Sequence, residues 1–258
     1  MPKCPYCSYS RTWIIRRNKR KCKACRREFS IKEYPVPGIR STMDEWKDCI
    51  HSFLRTRTIR AVSMDTSIGH CRVTAMLRHV RTTMTKDMPE MFRGPVEVDE
   101  TYIGGQRKNQ KLHIRKIQGH RGKGTGKLPI VGIFDRATGN VHAEIFSSNP
   151  NGLLLEQFIK RFVTKGSYVF TDGFSAYRTL PYAGYIHAWV DHSSGEYVRG
   201  EVHTNNIEGF WGILKRKMSC IGGVRRTELP LFLSEIIWRF NHRTKTLAEQ
   251  EELLLQLL

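Results

Sequence analysis

The sequence predicts an α/β domain built on a mixed sheet with flanking helices, preceded by a small cysteine-bearing module and a helical segment. Three observations carry this: paired Cys-x-x-Cys knuckles up to Cys25, apolar residues at helical spacing between Met43 and Arg81, and strand-like runs alternating with helical ones after Gly94. The 258 residues suffice for one large domain or a few small ones. With 40% apolar and 26% charged residues, wholesale disorder is excluded. The longest apolar runs, Glu252 to Leu258 and Pro129 to Phe134, fall short of the roughly 20 residues of a membrane helix. The polar, basic first residues predict no secretory signal and a cytoplasmic protein.

Charge narrows the partner. Against 24 Asp and Glu stand 43 Lys and Arg, a net +19 with a pI near 9.9, which points to a polyanion, nucleic acid first. A generally basic surface is the bland alternative, but the excess is clustered. Residues 1–40 hold 12 basic and 2 acidic side chains, and residues 105–127 hold 8 basic and none acidic.

Cys4, Cys7, Cys22 and Cys25 form two knuckles separated by 14 residues, while Cys49, Cys71 and Cys220 are scattered. An odd total disfavours a disulfide framework. Two knuckles supply four thiolates to one tetrahedral Zn²⁺, and redox Cys-x-x-Cys motifs do not normally come as spaced doubles. A zinc ribbon over residues 1–33 is expected, with strands near Thr12 to Arg17 and Glu28 to Ile31. Metal binding of about 10–16 kcal/mol would fold a unit that lacks a core.

Tyr34-Pro35-Val36-Pro37-Gly38 marks a boundary. Within 34–93, Met43, Trp46, Ile50, Phe53 and Leu54 give one apolar helix face; shorter helices fit Ile59 to Met64 and Arg72 to Arg81. The turn Ser67-Ile68-Gly69-His70 between them suggests helix-turn-helix geometry, with Arg72, Arg78 and Arg81 near phosphates or base edges. A plain bundle linking two domains is the alternative.

From 94 to 243 the pattern is that of the α/β domain. Pro95 to Tyr102 alternates as a strand, and Ile130 to Asp135 and Val141 to Phe146 flank the turn Ala137-Thr138-Gly139-Asn140 as a hairpin. A helix over Leu153 to Val163 leads to the strand Tyr168 to Asp172; a short helix near Phe174 to Leu180, a strand near Tyr185 to Val190 and a helix carrying Glu208 follow. Leu229 to Phe240 closes the core, and a Leu- and Glu-rich helix occupies 244–258. The basic loop 106–127 lacks phosphate-loop spacing, which rejects ATP. Its functional reading is an arm that neutralises DNA phosphates through Lys123 and Lys127, against a merely solvated loop.

Three carboxylates stand out: Asp99 on the first strand of this domain, Asp172 at the end of the fourth, and Glu208, with 35 residues between the last two. Their convergence is unfavourable without a cation, because like charges raise one another's pKa. Two Mg²⁺ ions roughly 3.5–4 Å apart resolve the conflict and support in-line phosphoryl displacement. Lys215 follows Glu208 by seven positions, two helical turns, so both share a face.

The stretches Val96-Glu97-Val98-Asp99-Glu100-Thr101-Tyr102-Ile103-Gly104-Gly105, Thr171-Asp172 and His203-Thr204-Asn205-Asn206-Ile207-Glu208-Gly209-Phe210-Trp211 through Lys215-Arg216 resemble the DDE transposases of bacterial insertion sequences. The subgroup related to Merlin elements is the most similar, since its members also carry an N-terminal zinc ribbon. The resemblance implies an RNase H-like fold, Mg²⁺- or Mn²⁺-dependent cleavage at element ends, and joining of the 3′-hydroxyl to target DNA. By position, Asp99, Asp172 and Glu208 match the metal-binding carboxylates and Lys215 the downstream basic residue, with Arg216 beside it on DNA. Asn205 is an alternative third ligand; a carboxylate suits a hard cation better than an amide. His203 sits at a helix start, where backbone bonding is commoner than approach to a phosphate, and Trp211 reads as core. Asp191, His192 and Glu196 read by default as a loop without catalytic work. Arg239, Asn241 and Arg243 resemble the family's basic terminal motif, with phosphate contact one role. The implied partners are terminal inverted repeats and target DNA, in a homo-oligomeric synaptic complex, nucleoid-associated and away from membranes. A DNA-binding regulator with a decayed catalytic domain and an RNase H-like nuclease that cuts without joining are the rival readings.

Overall fold

The computed structural model describes residues 3–16, 19–30, 34–56, 58–104, 127–190, 198–220 and 224–258. The chain divides into two compact units, Met1–Leu77 with Glu251–Leu258, and Arg78–Gln250.

The first unit opens with an antiparallel three-stranded sheet of β1 (Thr12–Arg16), β2 (Lys19–Cys22) and β3 (Glu28–Ser30), in that order. The sequence signals two of these strands. β2, Lys-Arg-Lys-Cys, has no apolar alternation and is held by its register against β1 and β3. Cys4, Cys22 and Phe29 are the only buried cluster here among the described residues, too little apolar surface to fold the module.

Three helices follow: α1 (Met43–Thr56), α2 (Ile59–Thr66) and α3 (His70–Met84). Thr42 and Glu45 start α1 reciprocally, the Glu45 carboxylate accepting from the Thr42 N–H at 2.9 Å while the Thr42 hydroxyl accepts from the Glu45 N–H at 3.3 Å. Trp46, Ile50, Phe53 and Leu54 are buried, as their spacing requires, joined by Cys49, whereas Met43, expected on the same face, is exposed at the first turn. Thr58 caps α2, which ends at Ser67 in the left-handed region (φ 56°), so three residues turn the chain into α3.

The second unit holds a five-stranded sheet. β4 (Val96–Ile103), β5 (Leu128–Asp135) and β6 (Val141–Ile145) pair antiparallel in succession; β7 (Tyr168–Asp172) and β8 (Ile186–Val190) are parallel to β4. The spatial order β6-β5-β4-β7-β8, with the first strand in the middle, is that of the RNase H-like mixed sheet the sequence predicts. Asp135 closes the β5–β6 hairpin by accepting from the Ala137 and Thr138 N–H groups, and Gly139 takes the positive φ of 70° that the turn needs.

Helices cover both faces. Val96, Val98, Val131, Ile133 and Val169 pack with Leu155, Phe158, Ile159 and Phe162 of α4 (Gly152–Phe162) and with Tyr177 of the 3-10 helix Ser175–Thr179. On the other face Ile130, Phe134 and Val141 meet Ile207, Phe210, Trp211 and Leu214 of α5 (Asn205–Cys220) and Leu233, Ile236 and Ile237 of α6 (Leu229–Asn241). The last helix, α7, spans Leu247–Gln256. None of the described helices is long and apolar enough to cross a membrane.

Gly132 of β5 lets α5 approach: an added Cβ would lie 2.5 Å from the Trp211 ring and 3.1 Å from Ile207. Neither the paired strand nor the buried indole yields cheaply. Gly132→Ala is therefore expected to cost about 1–3 kcal/mol of stability in urea unfolding; an unchanged midpoint would show that α5 moves away freely.

Candidate active site

The site grows from the period-2 alternation of β4. Val96 and Val98 face α4, so Glu97, Asp99 and Thr101 face α5 while Glu100 turns back to the α4 side. β7 lies parallel beside β4, with Val96 opposite Val169 and Glu97 opposite Phe170, which carries Asp172 alongside Asp99. Oxygens of Asp99, Glu100 and Asp172 all lie within 4.8 Å of one another. Loss of solvent, and then the charges of Asp172 and Glu208, push the Asp99 carboxyl up to about 7, although the Glu100 N–H and the Trp211 indole favour its anion. Trp211 Nε1 donates to Asp99 Oδ2 at 3.0 Å, and the Phe174 N–H donates to Asp172 Oδ1 at 3.0 Å. Such a donor set of crowded, hard oxygens fits a divalent cation.

Glu208 sits in the first turn of α5, exposed, and accepts from the Thr204 hydroxyl at 2.8 Å. Its charge is felt at Asp99, yet it lies outside the 4.8 Å cluster, which Glu100 joins instead. Sequence reasoning passed over Glu100 because strict alternation places it on the opposite face from Asp99. Its adjacency to Asp99 in the strand was the available signal.

Glu97 was passed over as well. Its fully buried carboxylate accepts from the N–H groups of Asn206 (2.9 Å) and Ile207 (3.1 Å), from the Asn206 amide (2.7 Å) and from Arg136 Nε (2.7 Å), with His203 Nδ1 at 3.3 Å. A negative charge thus satisfies the open N–H groups at the start of α5 and fixes that helix to β4, two residues from Asp99. His203 accordingly belongs to this cluster, also contacting Arg136 Nη2 at 2.9 Å. Trp211 is buried as expected, with the added indole bond to Asp99.

The ISXO2-like transposase domain family matches residues 91–241, more than half of the chain and all of the acidic cluster. The chain belongs to this family. A relative of the ISXO2-like chain, described as an uncharacterized protein in transposable element ISH50 of Halobacterium salinarum, is 29% identical over 229 residues, covering 82% of this chain and 74% of that protein. Two solved structures align at 12% identity. One is a simian T-cell lymphotropic virus intasome in complex with PP2A regulatory subunit B56 gamma (TM-score 0.36, 76% of this chain and 68% of that one). The other is a pre-cleavage Mos1 transpososome (TM-score 0.30, 87% and 81%). Likenesses at these scores bear on no chemistry.

Elsewhere in the ISXO2-like transposase, the four ribbon cysteines bring their sulfurs within 4.8 Å of one another. Cys4 and Cys25 Sγ are 3.6 Å apart and Cys7 and Cys22 Sγ 3.5 Å. Tetrahedral zinc with Zn–S bonds of about 2.3 Å spaces its sulfurs by about 3.8 Å, so the donor set fits. Loss of solvent raises the Cys22 thiol, but the backbone N–H groups of Cys25 and Ala24, with the Cys7 and Cys4 thiols, outweigh it and bring it down to about 7, toward the ligating thiolate.

The basic residues separate. Lys215 and Arg216 are exposed on α5, and Lys127 is half-buried before β5; Lys123 lies outside the described residues, as do Asp191, His192 and Glu196. Arg72 pairs with Glu45 at 3.1 Å and donates to the Arg40 carbonyl, and Arg78 is exposed but pairs with Glu228. Arg81, expected near phosphates or bases, is instead buried: Nε donates to Glu235 at 2.7 Å and the guanidinium lies 4.2 Å from the Phe232 ring centre. A guanidinium so enclosed has no access to a duplex. The terminal motif makes bonds within the domain, with Arg243 exposed. Arg239 bonds Glu235 at 2.9 Å, Asn241 bonds both the N–H and the carbonyl of Val141, and Arg243 donates to the Gly139 and Phe240 carbonyls.

Breaking the Glu97 cluster leaves half-buried Arg136 without its counter-charge and the buried N–H groups of α5 without their anion. Glu97→Gln is expected to lower stability by about 3–5 kcal/mol in urea unfolding; a loss below about 1 kcal/mol would mean that α5 is held by packing alone.

Proposed function

We propose that the chain is a DDE-type transposase of an insertion sequence, binding terminal inverted repeats and carrying out divalent-metal-dependent strand cleavage and strand transfer. The observation that carries the reading is the meeting of Asp99 and Asp172 from adjacent parallel strands, within the 4.8 Å cluster. Asp99, Asp172 and Glu208 would hold Mg²⁺ or Mn²⁺, two ions in all. When bound, these ions would lower the pKa of the attacking hydroxyl and stabilise the leaving oxygen. The chain's own groups do the positioning. Trp211 orients Asp99, Glu97 fixes the helix that bears Glu208, and Lys215, two turns further along that helix, faces a phosphate backbone with Arg216. Glu208 is favoured over Asn205, since both are exposed on α5 and a carboxylate binds a hard cation better.

The ribbon, with one structural Zn²⁺ on Cys4, Cys7, Cys22 and Cys25, and the α2–α3 pair serve DNA recognition, with Arg72 and Arg78 the basic candidates of that pair. The protein acts as a homo-oligomer that pairs element ends. The net charge of +19 supports a DNA partner.

Two outcomes test this. Asp99→Asn and Asp172→Asn, each incubated with DNA carrying the element's ends, should lose Mg²⁺-dependent cleavage by at least about 10³-fold while band shifts persist. Equal cleavage by the variants would refute the assignment; nicked ends without joined products would identify a nuclease, and binding without cleavage by the unaltered protein a regulator. Metal analysis should find one zinc per chain, and Cys22→Ser should abolish it and unfold the ribbon. Retention of zinc by that variant would rule out the four-cysteine site.

A further inference from the structure

Tyr177 follows Asp172 by five positions and is fully buried on the α4 face of the sheet, edge-on to Phe174 at 6.1 Å. Its hydroxyl makes no hydrogen bond of ordinary geometry among the described residues, while the Glu100 carboxylate lies near enough to act on it. Phenylalanine would fill the same space without burying a polar atom. The hydroxyl is a donor on the sheet face to which Glu100 turns.

Glu100 is the cluster member without a role above. Two divalent cations carry four positive charges, and Asp99, Asp172 and Glu208 supply three negative ones. Glu100 brings the fourth, from the opposite face of β4, with its oxygens within 4.8 Å of those of Asp99 and Asp172. We infer that Glu100 is a further cation-holding carboxylate of this centre and that the buried Tyr177 hydroxyl is its positioning residue. The inference rests on the reading of the cluster as a divalent-cation site.

The test is a Mn²⁺ titration of the full chain without DNA, following free Mn²⁺ by electron paramagnetic resonance, on the unaltered protein and on Glu100→Gln, Tyr177→Phe and Asp172→Asn. Glu100→Gln should lose one bound Mn²⁺ or bind at least about tenfold more weakly. Tyr177→Phe should keep the stoichiometry, weaken binding about tenfold and leave the urea midpoint unchanged or higher, separating positioning from a structural role. If Glu100→Gln titrates like the unaltered protein while Asp172→Asn loses Mn²⁺, this inference fails and the cation centre stands. If Asp172→Asn also titrates unchanged, the centre itself fails. Unaltered affinity in Tyr177→Phe overturns the positioning role.

Discussion

The buried carboxylate of Glu97 is the contact from which the geometry of the site follows. It is a charge inside the protein, stable there because Arg136 and the first N–H groups of α5 surround it. Asp99 stands two residues later on the same strand face, so the strand that offers one acidic group also anchors the helix that offers another. Trp211 makes the return connection, packing on Gly132 while its indole reaches Asp99. Strand, helix and acidic side chain are thereby held as one unit, without a loop between them to absorb error.

The electrostatics are those of a negative point in a positive field. The chain carries a net +19, yet Asp99, Glu100 and Asp172 crowd together until Asp99 holds its proton to about 7. Mutual repulsion is tolerated because the sheet is stiffened by apolar cores on both faces. Like charges held this close favour a bound cation over three separate anions.

Much of this was legible in the sequence, and the exceptions have physical reasons. Cysteine spacing, the Ala137–Asn140 turn and the strand ending at Asp172 are local signals and appear where their chemistry places them. Contacts between distant segments left no such trace. Glu97 meets Asn206 across 109 positions, so alternation shows it only as a polar residue on a strand. Arg81 reads as a basic residue on an exposed helix until Glu235, 154 positions on, supplies its counter-ion. β2 is polar throughout and exists through pairing, and Glu100 joins the cluster because it lies past the last β4–β7 pair, Glu97 with Phe170.

Asn241 shows how a short motif near the end of a domain can govern how molecules meet. Its side-chain amide occupies both the N–H and the carbonyl of Val141 on the outermost strand β6, mimicking the next strand of a ladder. A foreign strand cannot extend the sheet at that point, because the pairing groups it would need are already taken. The terminal asparagine thus acts as a stopper against runaway sheet growth at the open edge of β6.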